Sequence, residues 1–158
     1  HFKSKRCHGA RGGNRDRGDG QGCYVAARVK AATQLATWAR NLPEVPALAG
    51  TLITGDLNSY ARETPLSELA SAGFTDLVRH FHGLDRHSFR FRGRAGTLDY
   101  GLASPDLLHR VKDARLWAVN SDEPSALGYA SARVPVAAAS AFPWRSSDHD
   151  PVIVDLAL

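Results

Sequence analysis

Three short stretches of the chain place carboxylates, an amide and an imidazole at the ends of apolar runs. Asp56 and Asn58 follow Ile53-Thr54, Asp99 follows Thr97-Leu98, and Asp148-His149 stand just before Pro151 and the alternating run Val152-Ile153-Val154-Asp155-Leu156. An apolar strand is a poor neighbour for carboxylates unless they are paired, hydrogen-bonded or bound to a cation. Layered α/β folds build their sites from polar groups at strand ends. Together these residues have the parts for phosphoester hydrolysis. Carboxylates hold a hard cation and orient a water, an amide steadies a phosphate oxygen, and an Asp-paired His manages a proton or stabilises the phosphorane. Each stretch alone reads as structural: an Asp-Pro turn, a turn at 56–58, or a satisfied core carboxylate at Asp99. Their joint occurrence argues for a site. Asp150 is expected to be structural, because in an extended chain it points away from His149.

The elements that must position these groups follow from periodicity. YVAARVKAATQLATWARNLP predicts an amphipathic helix with Val25, Val29, Ala32 and Ala36 on its apolar stripe, widened by Leu35 and Leu42 and stopped by Pro43 and Pro46. Thr51 to Thr54 predicts a buried strand. Thr64 as N-cap, Pro65 at the first helical position and Gly73 past the end predict a second, short helix. SFRFRGRAGTLDYGLAS predicts a hairpin with arms Ser88–Arg92 and Thr97–Leu102 and a turn holding Gly93 and Gly96. A helical turn at Ser104-Pro105, a strand around Ala114–Val119, a long loop over 120–146 and a strand from Val152 to Leu158 complete the reading. The fold class expected is α/β (α+β), layered, with a mixed and mostly antiparallel sheet.

With 158 residues, 43% of them apolar, the chain is sized for one globular domain. No apolar run is long enough to span a bilayer, and no basic-then-apolar signal segment is present. The chain opens at His1 and contains no Met, so it is expected to begin within a longer protein. A net charge of +4 mildly favours polyanionic partners. Arg90, Arg92 and Arg94 alternate with Phe89 and Phe91, so a strand there would give the rings to the core and the guanidiniums to a phosphate backbone. A solvated hairpin face is the alternative. Cys7 and Cys23 bracket a Gly- and Arg-rich segment that cannot hold itself together by burial. A disulfide closing it is worth roughly 3 kcal/mol and points to an oxidising, secreted setting. Two buried free thiols are the alternative; zinc is disfavoured because neither cysteine has a partner at ligand spacing. Asn14, Asp16 and Asp19 within the loop read as solvated turn residues, with calcium ligation as a weaker alternative.

GDLNS, TLDYGL and SSDHDPV, in this order and about forty and fifty residues apart, resemble the endonuclease/exonuclease/phosphatase superfamily. HFKSK, GQGCYVAARV and WAVNSDEPSALGY are more narrowly similar to its secreted bacterial nucleases, so the resemblance covers almost the whole chain. It implies that Asp56 orients or deprotonates the attacking water, Asn58 contacts the scissile phosphate, and Asp99 fixes the tautomer of His149. His1 would be a second phosphate-facing imidazole, and Asp148 would lie beside a divalent metal, magnesium first, with manganese or calcium possible. The resemblance also implies a two-sheet sandwich flanked by helices, of which this chain is the carboxyl-terminal half. The missing half would supply an Asn, the Glu that is the main metal ligand, and the carboxylate partner of His1. Exposed apolar surface and weak or absent activity are then expected of this piece alone. The function implied is that of a secreted nuclease acting on nucleic acid, DNA foremost. The alternatives are a phospholipid or inositol phosphate phosphoesterase of the same fold, or a non-catalytic polyanion-binding remnant.

Overall fold

The structure is a computed structural model, and it describes residues 1–42, 49–127 and 145–157. Its elements are α1 (Val25–Arg40), β1 (Leu52–Asp56), α2 (Thr64–Ser71), β2 (Thr75–Asp76), α3 (Leu77–His82), β3 (Phe89–Phe91), β4 (Arg94–Gly96), β5 (Asp99–Ala103), α4 (Pro105–Leu108), β6 (Val111–Leu116) and β7 (Val152–Leu156). Strands pair as β1-β5-β2, β3-β4 and β6-β7, antiparallel in each case. The mixed α/β class with mostly antiparallel pairing is as expected from the sequence.

β5 is the central strand, and its alternation divides the core. Tyr100 and Leu102 join Ile53 on one face, under Ala32, Ala36 and Ala39 of α1 and Leu66 and Leu69 of α2. Ala103 turns to the other face, packed with Leu77 and Val78 of α3, Leu107 of α4 and Val111 and Ala114 of β6. β7 crosses this second face over Gly101, where a Cβ would stand 3.1 Å from a Val154 methyl.

Several boundaries differ from the sequence expectation, each for a local reason. The buried stripe of α1 runs Val25, Arg28, Ala32, Ala36, Ala39, so an arginine occupies a core position and Val29 is only half-buried. β1 extends to Asp56 because β5 pairs with it along its full length. Glu63, not Thr64, is the N-cap of α2, which places Pro65 one position further in. The predicted hairpin is two structures. β3 pairs with β4, Phe89 opposite Gly96 and Phe91 opposite Arg94, while Asp99–Ala103 leaves to pair with β1 and β2. The turn is Arg92-Gly93, both at positive φ (49° and 76°), as a two-residue turn matched to strand twist requires. Gly96 lies in the strand; its lack of a side chain admits the Tyr60 ring, which an added Cβ would meet at 2.5 Å. β6 starts at Val111, earlier than expected, because Val111 and Ala114 are the residues that reach the core. Most of the long loop expected over 120–146 lies outside the described residues.

Cys7 and Cys23 are joined by a disulfide. Within the loop it closes, Asp16 and Asp19 accept the amides of Gly18 and Gln21, and Asn14 accepts that of Ala27. Arg28 ties this loop to the segment after β1. Its guanidinium donates to the carbonyls of Cys23 and Gln21, 2.7 Å each, and to Ser59 Oγ at 3.1 Å. It lies 3.9 Å from Glu63 Oε2, an oxygen with no hydrogen-bond partner, while Oε1 takes the Lys5 ammonium. Burial pushes the Arg28 pKa down and that of Glu63 up. Without the guanidinium Glu63 keeps the Lys5 ammonium, but the carbonyls of Cys23 and Gln21 and the Ser59 hydroxyl lose the donor that satisfies them. Arg28→Met is therefore expected to cost about 2–5 kcal/mol, read as a lower urea midpoint at unchanged slope. A loss below about 1 kcal/mol would show that the guanidinium is dispensable.

Candidate active site

The site begins at the last rung of the β1–β5 ladder, where Asp56 and Asp99 are direct cross-strand partners. Two carboxylates facing each other are repulsive unless each is separately engaged, and here each is. Asp56 Oδ1 accepts the Asn58 amide at 2.7 Å and Oδ2 accepts the Asn58 side-chain amide at 2.9 Å. The turn this makes holds Asn58 at φ 46°, a left-handed conformation that Asn tolerates. The same Asn58 Nδ2 donates to the Phe2 carbonyl at 3.1 Å. The Phe2 amide donates to the Asp56 carbonyl, which brings the opening residues beside the strand end. His1 Nε2 then lies 3.2 Å from Asp56 Oδ2, on a side chain that is 70% exposed.

His149, in the segment that leads into β7, is held against β3. The Ser88 carbonyl accepts the Asp150 amide at 2.8 Å, and Phe89 bridges to His149 across the same short ladder. His149 Nδ1 lies 2.7 Å from Asp99 Oδ2. A carboxylate there accepts, so Nδ1 carries the proton and Nε2 is left for another partner. Ser88, fully buried, donates its hydroxyl to Asp99 Oδ2 at 2.6 Å and accepts the amides of Leu98 and Asp99. Behind the imidazole, Asp150 Oδ1 accepts the amides of Val119, Asn120 and Ser121. It is the buried, structural carboxylate expected from the sequence.

Burial raises the Asp56 pKa, opposed by the Asn58 hydrogen bond and assisted by the Asp99 charge. The hydrogen bond to Asp99 raises the His149 pKa against partial desolvation, with the charges of Asp99, Asp56 and Asp148 adding to it. Asp56, Asp99 and His149 each bring a potential metal-ligand atom within 4.8 Å of the others. Asp148 is exposed and is not in that group. The donor set suits a hard cation only in part. Both oxygens of Asp56 and Oδ2 of Asp99 already hold protein donors, and a magnesium ion asks for six oxygen ligands, water included. The described residues fit one edge of a cation site, to which Asp56 and Oδ1 of Asp99 would contribute.

The three arginines divide. Arg90 is held by Asp122, which also takes His87 Nε2 at 2.9 Å. Arg92 sits in the turn, its guanidinium 5.2 Å above the Phe91 ring, and Arg94 is exposed. The alternation expected of an arginine face and a buried aromatic face is not formed, because the strand is too short and turns at Arg92. Phe91 is 53% exposed, and Phe89 packs on the His149 ring instead of entering the core. Ser88 was not foreseen: a serine before an aromatic pair has no signature until its partner on β5 is known.

No family model matches the sequence, and no curated protein does. In fold, the chain is similar to the 3′-5′ exonuclease NExo from Neisseria meningitidis, at TM-score 0.51 and 18% identity over 85% of this chain and 52% of that one. A structure of the 3′ phosphatase NExo from Neisseria bound to product DNA hairpin aligns at TM-score 0.48, with the same identity and coverage. The chain thus spans about half the length of the structures it matches. An α/β domain with a carboxylate–imidazole pair at adjoining strand ends is the class that fold and site define.

His149 is expected to titrate above the ordinary imidazole value of about 6.5, and Asp99→Asn to bring it down, as followed by the ring-proton shifts. Because the folded-state pKa is raised, the pairing stabilises fully below the ordinary value. That stability is lost as pH rises through the folded one. An unshifted His149 in the native chain would contradict the pairing.

Proposed function

We propose that the chain is the carboxyl-terminal half of a metal-dependent phosphodiesterase acting on nucleic acid, in its finer form a secreted deoxyribonuclease. The observation that carries this reading is the 2.7 Å Asp99–His149 contact on the same rung as Asp56. An oriented imidazole, whose Nε2 has no partner among the described residues, stands beside a carboxylate whose pKa burial has raised. Asp56 takes a proton from water as the water oxygen bonds to phosphorus; the P–O ester bond breaks, and the leaving alkoxide takes a proton from solvent. His149, an imidazolium whose Nδ1–H is held by Asp99, offers Nε2–H to the phosphate as negative charge grows. Asn58 gives its side-chain N–H groups to Asp56 and the Phe2 carbonyl, so it positions Asp56, and contact with a phosphate oxygen would require one of these bonds to open; His1 adds a second imidazole on the open side. A divalent cation, magnesium in this reading with manganese or calcium as alternatives, supplies charge neutralisation when bound. Asp56 would contribute to holding it, and Asp148 would lie near it.

This chain covers 52% of the comparison structure, which leaves room for the amino-terminal half that this reading requires to complete the ligand set. The disulfide fits an oxidising compartment, which supports secretion. The nuclease reading draws on the name of the similar fold, a 3′-5′ exonuclease, and on the basic charge. One observation favours a second reading: an exposed aromatic ring at the hairpin beside the site suits a phospholipid substrate.

In the full-length protein, Asp99→Asn and His149→Ala should each lower turnover on plasmid DNA by orders of magnitude. The double variant should cost little more than the worse single one, because the two act as a unit. Activity should require magnesium, manganese or calcium and vanish with chelator. Strictly additive losses, or full activity in chelator, would remove the basis of this mechanism.

A further inference from the structure

A ladder of flat groups runs outward from the catalytic imidazole. The Phe89 ring lies 4.5 Å from His149, tilted by 30°. Phe91 stacks on Phe89 at 6.4 Å and 14°. The Arg92 guanidinium covers Phe91 at 5.2 Å. The inner ring is half-buried and the outer one 53% exposed. An exposed phenylalanine at a hairpin end contributes nothing to the core, and here its position is fixed. Its partner is Arg94, and the Arg92-Gly93 turn follows immediately.

We propose that this hairpin is a base-stacking platform on which Phe91 and Arg92 hold an unpaired nucleobase beside the scissile phosphate, making single strands and frayed ends the preferred substrates. The inference rests on the nucleic-acid reading above and names its substrate class. Flat π surfaces and guanidinium planes stack bases of any identity, and the base takes the face of Phe91 that the exposed Arg92 guanidinium now covers, with the guanidinium swung to the outer side of the base. A base inside an intact duplex has both faces occupied by its neighbours and offers none to the ring. Along a stacked strand at about 3.4 Å per nucleotide, Phe91 lies within about three nucleotides' rise of the imidazole, close enough to place the phosphate. Arg90 is engaged by Asp122, which leaves fewer guanidiniums for a competing phosphate-reading face. Membrane insertion fits less well: it would carry the Arg92 charge, laid on the ring, out of water with it.

The test compares cleavage of one fluorescent DNA oligonucleotide, single-stranded and as a blunt duplex, by the full-length protein and its Phe91 variants. Phe91→Ala and Phe91→Leu should each lower kcat/KM on the single strand by about 5- to 100-fold, the range of one lost base–aromatic stack. Both should leave the duplex within about twofold, and Phe91→Trp should retain single-strand activity. 2-Aminopurine beside the cleaved bond should be quenched by the native protein and not by Phe91→Ala. Equal losses on both substrates, no loss on either, or full activity in Phe91→Leu would overturn the platform. So would binding to phosphatidylcholine vesicles that disappears in Phe91→Ala, which would assign the ring to lipid. If the native full-length protein cleaves neither oligonucleotide, the nucleic-acid reading itself fails, and this proposal with it.

Discussion

The site depends on satisfying one carboxylate, Asp99, from two directions. Its Oδ2 receives the Ser88 hydroxyl and His149 Nδ1, and each donor comes from a different piece of chain. Ser88 can donate because its own oxygen is anchored by the amides of Leu98 and Asp99. Its carbonyl meanwhile fixes Asp150, next to His149. A single buried serine thus connects the centre of the sheet to the strand that brings the imidazole. Without it, Asp99 would be a half-buried carboxylate facing Asp56 with less to hold its charge.

Around that centre the fold works as a set of clamps on short loops. Arg28 and the disulfide hold the glycine-rich segment against residues 59–63. The segment in turn lies just past Asp56 and Asn58. Asp150 gathers three consecutive amides from 119–121, making a rigid base under His149 from a stretch with no regular structure. Polar satisfaction, more than strand pairing, therefore sets the geometry at the strand ends, where the ladders stop.

How much of this was legible in the sequence varied with the reach of the interaction. Asp56, Asn58, Asp99 and His149 stood out because carboxylates and imidazoles at the ends of apolar runs are chemically conspicuous, and the structure brings them together. The course of α1 and the pairing of Cys7 with Cys23 followed from local pattern. Arg28 did not: a charged residue at a core position reads as solvent-facing until carbonyls from a distant loop are seen to satisfy it. The hairpin was misread because alternation over 88–102 says nothing about which neighbour each half pairs with. Only the Arg92-Gly93 turn and the competition of β1 for Asp99–Ala103 decide that. The start of α2 moved by one residue and β6 by three, where capping and core reach compete.

The spread of the site along the chain has a kinetic meaning. His1, Asp56, Asp99 and His149 are separated by roughly forty to fifty-five residues each, and none of their contacts can form from local structure. Closing loops of that length carries an entropic cost that is met only once the flanking strands have docked. A collapsed intermediate with all its helices in place would still lack an oriented imidazole. The Asp99–His149 pairing would therefore report native topology itself, appearing in step with the slowest refolding event and not with the recovery of helical signal.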